Sequence, residues 1–453
     1  MNNKKSWQDA LLKGYTVMAE ECSKIDSDLY SKYEVKRGLR DISGKGVLAG
    51  LTEIGEVHAY IIDEGETIPV PGRLIYRGMD INDIVYGFLS EDRFGFEETA
   101  YLLLFGELPN QKELNGFENL LTDLRALPKS FIEDAIMKLP SNDVMNLMAR
   151  GVLALYSFDN RADDISIENV IRQCVNLIAQ MPLIAVYGYQ VLTHYYRERS
   201  LVIHSPRPDY STAENILHLL RPDSSFTRLE AVLLDLALVL HAEHGGGNNS
   251  TFATHVITSS GTDTYSSMAS SLGSLKGPRH GGANVKVIQM FDSMKKEVKD
   301  WEDEDEIREY LLKLLNGEVF DRTGLIYGVG HAVYSISDPR AVIFKGYSEK
   351  LAREQGYEKE FRLYEIVERL APQVIAEKRK MYKGVSINVD FYSGLVYKML
   401  NIPEELFTPL FAVSRIVGWS AHRIEELANG GKIIRPAYKS ISPHREYIPL
   451  KIR

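Results

Sequence analysis

Histidines and acids set in glycine-rich punctuation concentrate the chain's chemistry. Four such groups follow in order: His241-Ala-Glu-His244 running into Gly245-Gly246-Gly247, Gly277-Pro-Arg-His280-Gly-Gly-Ala-Asn284, Gly328-Val-Gly-His331 leading to Asp338-Pro-Arg340, and Asn388-Val-Asp390. Glycine lets a backbone turn tightly or approach a ligand closely. An imidazole can donate a hydrogen bond to a developing oxyanion, and a desolvated carboxylate can take a proton.

Each group also has a plain structural reading. The i, i+3 spacing of His241 and His244 places both on one helical face, as zinc ligands beside Glu243 or as core histidines with satisfied hydrogen bonds. The spacing is not H-E-x-x-H and a third ligand is missing, which disfavours metal. A helix C-terminus favours a cationic imidazole, so His244 is suited to donate to a substrate carbonyl or carboxylate. His280 falls just before an expected helix, Val285 to Met294. There the helix dipole disfavours the imidazolium, and a neutral donor suits an enolate; a turn histidine without function is the alternative. His331 reads as a donor to a keto oxygen. Arg340, in the first turn of a helix, opposes the macrodipole unless an anion is near. Asp390 lies between apolar neighbours, where desolvation strengthens a base; otherwise it caps the helix from Phe391 onward. Arg415 sits in an apolar stretch and wants an anion, substrate or salt bridge alike. Arg435, in Ile434-Arg435-Pro436, is the last candidate cation.

The elements that must position these residues are helical almost throughout. The run from Phe96 to Phe105 stops at Gly106 and Pro109. Ser211 with Glu214, and Thr227 with Glu230, read as capping boxes, the second opening a helix that carries Ala231 to Leu240 and ends in His241–His244. Asp338-Pro339 places a cap before a proline at the first helical position. Arg415 to Leu427 is amphipathic and stops at Asn429-Gly430-Gly431. The charged run Lys295 to Glu309 reads as a solvated helix face. Strand-like alternation is confined to Glu56–Tyr76, around a turn at Asp63-Glu-Gly65, which predicts one small hairpin. No βαβ alternation or phosphate-binding glycine fingerprint is present.

The chain has 453 residues, enough for two or three domains. It is 44% hydrophobic and 25% charged, as folded proteins are. With 53 basic and 62 acidic residues its net charge is −9, leaving no basic excess for nucleic acid. Its two cysteines, Cys22 and Cys174, make no disulfide framework. The N-terminus lacks an apolar signal core, and the best apolar run, Ala231 to Leu240, is short and contains Asp235, so no membrane span is expected. These features predict a cytoplasmic protein.

Taken in order, the motifs resemble those of citrate synthases. Leu74-Ile-Tyr-Arg-Gly78 and Phe96-Glu-Glu-Thr-Ala-Tyr-Leu-Leu-Leu-Phe-Gly106-Glu-Leu-Pro109 add to the resemblance, which runs from about Gly72 to the C-terminus. It implies an all-α fold with a minor β-hairpin near the N-terminus, a large domain over residues 1–282 and 396–453 that forms a homodimer, and a small helical domain over 283–395 that closes over the site. It implies an acyltransferase of the tricarboxylic acid cycle that condenses acetyl-coenzyme A with oxaloacetate and hydrolyses citryl-coenzyme A. His280 would donate to the thioester oxygen, Asp390 would take the methyl proton, and His331 would polarise the keto group. Arg340, Arg415 and Arg435, with His244, would bind oxaloacetate, Arg435 reaching across the dimer; His241 and Asn284 would support them. No metal or separate cofactor is implied, since the coenzyme A thioester is itself a substrate. The chain departs from the family where a basic residue commonly contacts coenzyme A phosphates: it has Ala332 and Ser335. Residues 1–51 lie outside the resemblance and read as extra dimer helices or a regulatory arm. The rival readings are a 2-methylcitrate synthase using propionyl-coenzyme A, a helical zinc protein built on His241 and His244, and a non-catalytic sensor of citrate or coenzyme A.

Overall fold

The computed structural model describes residues 2–41, 46–63, 66–330, 333–379 and 384–452. His331 and Ala332 lie outside the described residues, as does the expected hairpin turn at Glu64-Gly65. The chain forms two compact units, Met1–Leu51 and Thr52–Arg453. The first holds α1 (Asn2–Ser23) and α2 (Ser27–Lys32), the latter capped by Asp26, whose carboxylate accepts the Asp28 N–H.

The second unit opens with the expected hairpin. Strand β1 (Gly55–Asp63) pairs antiparallel with β2 (Glu66–Tyr76) in a register that sets Val57 opposite Leu74. A two-residue strand β3 (Met79–Asp80), too short to show alternation, adds to the β2 edge. The rest is helical: α3 (Ile81–Ser90), α4 (Phe96–Phe105), α5 (Gln111–Leu124), α6 (Val144–Leu155), α7 (Ile167–Arg197), α8 (Thr212–Leu220), α9 (Arg228–His241), α10 (Asn249–Thr258), α11 (Thr264–Lys276), α12 (Ala283–Glu297), α13 (Glu304–Asn316), α14 (Pro339–Gln355), α15 (Glu358–Arg379), α16 (Val389–Met399) and α17 (Phe407–Ala428).

Local chemistry sets most of these boundaries. Both capping boxes form, Ser211 with Glu214 and Thr227 with Glu230, satisfying amides that the first helical turn leaves without partners. Helix α4 ends on Gly106 at φ +91°, a left-handed position that a side chain would strain. Asp338 caps α14 ahead of Pro339. Helix α12 begins at Ala283, two residues before the expected start.

Three expectations are corrected. Helix α9 stops at His241, so His244 lies beyond it and the two imidazoles do not share a helical face. The charged run is not one helix face: α12 ends at Glu297, and Asp303 caps α13 by accepting the Asp305 and Glu306 amides. Glu306 in turn accepts the Lys299 and Asp300 amides, holding the turn between the helices. The longest apolar stretch is α7 rather than Ala231–Leu240. It is long and apolar enough to cross a membrane, but its side chains from Val170 to Leu192 pack among α5, α6, α8 and α17.

The core surrounds α7, α9 and α17, whose apolar side chains form one continuous buried cluster. Helices α12 to α16 pack on one another, and α14 and α16 also touch α9.

Candidate active site

Helix α17 carries Arg415 into the centre of the protein. The side chain is fully buried. Its Nε donates to the His241 carbonyl at 2.6 Å, and its guanidinium lies 4.8 Å from the centre of the Phe411 ring. Neither terminal nitrogen of Arg415 has a hydrogen-bond partner among the described residues. Burial pushes this guanidinium down to about 10, with the Glu243 charge opposing the shift. A buried cation with two unused donor groups is short of an anion.

Arg415's charge acts on His241, His280, Asp390 and Glu243, so these groups share one neighbourhood. His241 is fully buried between Phe411 and Phe344, with ring centres 4.3 and 6.0 Å away. Burial, with Arg340 and Arg415 nearby, holds it well below the usual imidazole range. His244 is 9% exposed and faces Tyr334, with ring centres 5.7 Å apart.

Helices α17 and α9 approach closely because Gly418 has no side chain. Its N–H donates to the Ala242 carbonyl at 3.2 Å. A Cβ at Gly418 would lie 2.5 Å from that oxygen and 2.3 Å from a Glu243 carboxylate oxygen. Gly418→Ala is therefore expected to force the helices apart, lowering Tm by overpacking worth roughly 1–3 kcal/mol. Thermal melts of the variant and the wild type check this; an unchanged melt would show that the crossing is not tight.

His280 sits in the turn between α11 and α12. The Gly281 N–H bonds the Leu275 carbonyl at 3.0 Å, and a Cβ at Gly281 would lie 2.4 Å from that oxygen. Thr408 Oγ1 on α17 donates to the Gly281 carbonyl at 2.9 Å. His280 Nε2 lies 3.0 Å from Ser250 Oγ, which also accepts the Trp419 indole N–H at 3.2 Å. Burial, with Arg415 adding, lowers His280 to about 4, so it is a neutral imidazole at physiological pH. The expected neutrality stands, but burial rather than the helix dipole is its main cause. The Ser250 hydroxyl has two acceptors in reach, Asn248 Oδ1 at 2.9 Å and His280 Nε2; when its proton goes to Nε2, Nδ1 carries the ring hydrogen and becomes the donor. Asn284 is fully buried in the first turn of α12; its Oδ1 accepts the Val285 N–H at 2.8 Å.

Backbone pairing joins the last two motifs. Val329 bridges Ile387, the Gly330 N–H donates to the Ser386 carbonyl at 2.7 Å, and Asn388 Nδ2 donates to the Gly330 carbonyl at 3.0 Å. The chain entering His331 is thus fixed beside Asp390. Asn388, not Asp390, caps α16, accepting the Asp390 N–H at 3.0 Å and leaving the Asp390 carboxylate uncommitted to capping. Burial raises Asp390 to about 6; Asp338 adds to the shift, while Arg340 and Arg415 oppose it.

Asp338 is the organiser that sequence reading understated. Beyond capping α14, it holds Arg340 bidentately at 3.0 and 2.7 Å and accepts the Val389 N–H at 3.1 Å, tying the N-termini of α14 and α16 together. Arg340 is 3% exposed, and its misplacement in a first helical turn is answered by Asp338. That pairing outweighs burial and raises the Arg340 guanidinium. Arg435 stands apart, exposed in the extended segment after α17. Among the described residues, no three His, Cys, Asp or Glu side chains are grouped to hold a metal ion.

Comparison with known proteins agrees with this arrangement. A family model described as "Citrate synthase, C-terminal domain" matches residues 39–437. The chain is 33% identical over 391 residues to a 2-methylcitrate synthase of Shewanella oneidensis, covering 85% of this chain and 94% of that protein. It is 34% identical over 388 residues to a citrate synthase of Synechocystis, covering 84% and 88%. Among solved structures, it superposes on a Thermoplasma acidophilum citrate synthase in ternary complex with carboxymethyl-coenzyme A and oxaloacetate. That match has a TM-score of 0.76 at 27% identity and covers 92% of this chain and 99% of that one. A Pyrobaculum aerophilum citrate synthase gives 0.73 at 30%, covering 92% and 94%. From Arg415 outward to these relatives, the observations converge on one statement: the chain belongs to the citrate synthase family of acyltransferases.

Proposed function

We propose that the protein condenses acetyl-coenzyme A with oxaloacetate and releases citrate and free coenzyme A, as a reaction of the tricarboxylic acid cycle in the cytoplasm. The observation that carries this reading is the opposed tuning of two groups near one buried arginine: Asp390 raised to about 6 and His280 lowered to about 4. A thioester methyl is a very weak acid. A base stronger than an ordinary carboxylate and a neutral donor for the enolate oxygen are both needed, and one such donor is worth about 3 kcal/mol.

In this reading Asp390 takes the methyl proton while His280 Nδ1–H donates to the thioester oxygen. Ser250 holds the His280 tautomer, and Trp419 fixes Ser250. The carbanion carbon then attacks the oxaloacetate keto carbon. His331 polarises that keto group and protonates the alkoxide, and water finally hydrolyses citryl-coenzyme A. Oxaloacetate sits on the two free nitrogens of Arg415, assisted by His244 and Arg340, with His241 and Asn284 lining the site. Arg435 serves the partner subunit's site in a homodimer. Residues 283–395 close over the substrates and keep water from the thioester until condensation is complete. No metal or separate cofactor takes part.

Propionyl-coenzyme A is the second candidate, because one of the similar proteins is a 2-methylcitrate synthase and one methylene is worth only about 1–3 kcal/mol of discrimination. Release of coenzyme A thiol with oxaloacetate and either thioester decides between them. The expected result is oxaloacetate-dependent release with a higher kcat/KM for the acetyl thioester. A higher value for the propionyl thioester would assign the methylcitrate reaction, and no release with either would overturn the catalytic reading.

A further inference from the structure

Four titratable side chains without a role in this mechanism form one hydrogen-bonded line. Glu426 Oε2 lies 2.8 Å from His255 Nδ1, His255 Nε2 lies 3.2 Å from His422 Nδ1, and His422 Nε2 lies 3.0 Å from Glu243 Oε1. The line runs inward from the partly exposed Glu426 and His255 on α17 and α10 to His422 and Glu243, both fully buried. Glu425 flanks it, one carboxylate oxygen 3.8 Å from His422 Nδ1.

Counting protons gives the charge of the fully bonded line. Each of the three gaps holds at most one hydrogen, and ionised carboxylates only accept. Filling all three gaps places three protons on two imidazoles, one more than two neutral rings carry. With both carboxylates ionised, the filled line thus carries one imidazolium charge shared by the pair, although burial works against the charged form of His255. A further proton would set N–H against N–H in the middle gap, and one fewer would leave one of the three gaps without a hydrogen.

The inner end of the line matters most. Glu243 lies between His241 and His244, and its Oε1 accepts the Gly245 N–H at 2.5 Å. Its backbone is clasped as well: the Tyr76 hydroxyl donates toward the Glu243 carbonyl at 3.1 Å and accepts the Glu243 N–H at 3.3 Å. A buried carboxylate needs a cation. Besides His422, the cation that acts on Glu243 is Arg415, the group the proposed function assigns to oxaloacetate.

We propose that His422 and Glu243 are positioning residues for oxaloacetate: the imidazolium shared by His422 and His255 balances Glu243, leaving Arg415 its charge for the substrate, while Glu243 clamps the turn that presents His244. This inference rests on the proposed function, and its test separates the two.

His422→Gln keeps a hydrogen-bond donor toward Glu243 but cannot hold the proton. Its Kd for oxaloacetate, by calorimetry, and its KM are expected to rise about tenfold, or about 1.4 kcal/mol, with kcat nearly unchanged. His255→Gln, at the more exposed site, should move the same way and serves if His422→Gln folds poorly. The double variant E243Q/H422Q removes both charges and should bring Kd back toward the wild-type value. Wild-type protein that neither binds oxaloacetate nor releases coenzyme A would overturn the proposed function itself. Active wild type with both single variants binding within twofold of it would overturn this inference alone. A loss that persists undiminished in the double variant would assign a structural role and overturn it too.

Discussion

Replacing Asp390 by asparagine is expected to lower kcat by roughly 10²–10⁴, the usual contribution of a positioned general base, while oxaloacetate KM moves little. The same substitution raises Tm. Burial lifts the folded carboxyl from 3.8 to about 6, so the fold disfavours its ionised form. The sign follows from linkage: a group whose folded pKa lies above its unfolded value makes the protein more stable as pH falls toward the unfolded pKa, and less stable as pH rises through the folded one. At pH 7 Asp390 is ionised and works against the fold, by at most about 3 kcal/mol for a shift of this size. A neutral amide in its place removes that cost. Activity has the opposite dependence: kcat/KM falls with pH through about 6 as the base is protonated. A D390N variant with lower Tm and an acid limb unmoved from the wild-type profile would show that another group is the base.

How much of this was legible in the sequence depended on what each residue needs. Helix ends governed by short-range chemistry read correctly: the Ser211 and Thr227 boxes, the Gly106 stop and the Asp338-Pro339 start all form. The helix-forming period does not say where a helix must stop to turn a side chain inward, so His244 was read onto α9. The helix dipole gives the right sign for His280, but burial with the nearby Arg415 has the larger effect, and that depends on chain segments far apart in sequence. Asp338 read as a cap because capping is local, whereas its grip on Val389 spans 51 residues. Ser250 was missed for the same reason, lying 30 residues from His280 and 169 from Trp419. Ser250 has one local signal, the Asn248–Ser250 stretch that follows the third glycine and opens α10.

The second large effect falls on Arg415. Arg340 is already paired with Asp338, so its charge is largely neutralised before any substrate arrives. Arg415 is not matched in this way, since its two terminal nitrogens have no hydrogen-bond partner among the described residues. Arg415→Leu is therefore expected to raise oxaloacetate KM by roughly 30- to 5,000-fold, the range for losing one partner of a buried charge pair. Unliganded protein should be no less stable, because an apolar side chain of fair size replaces a cation buried without its anion. Wild-type Tm should rise with oxaloacetate, by the equivalent of about 2.7 kcal/mol at a hundred times Kd, and the variant's should stay flat. The pairing of these two melts is what makes the test sharp. A purely structural Arg415 predicts a variant that melts lower and still responds to oxaloacetate. A substrate-binding Arg415 predicts one that melts at least as high and no longer responds.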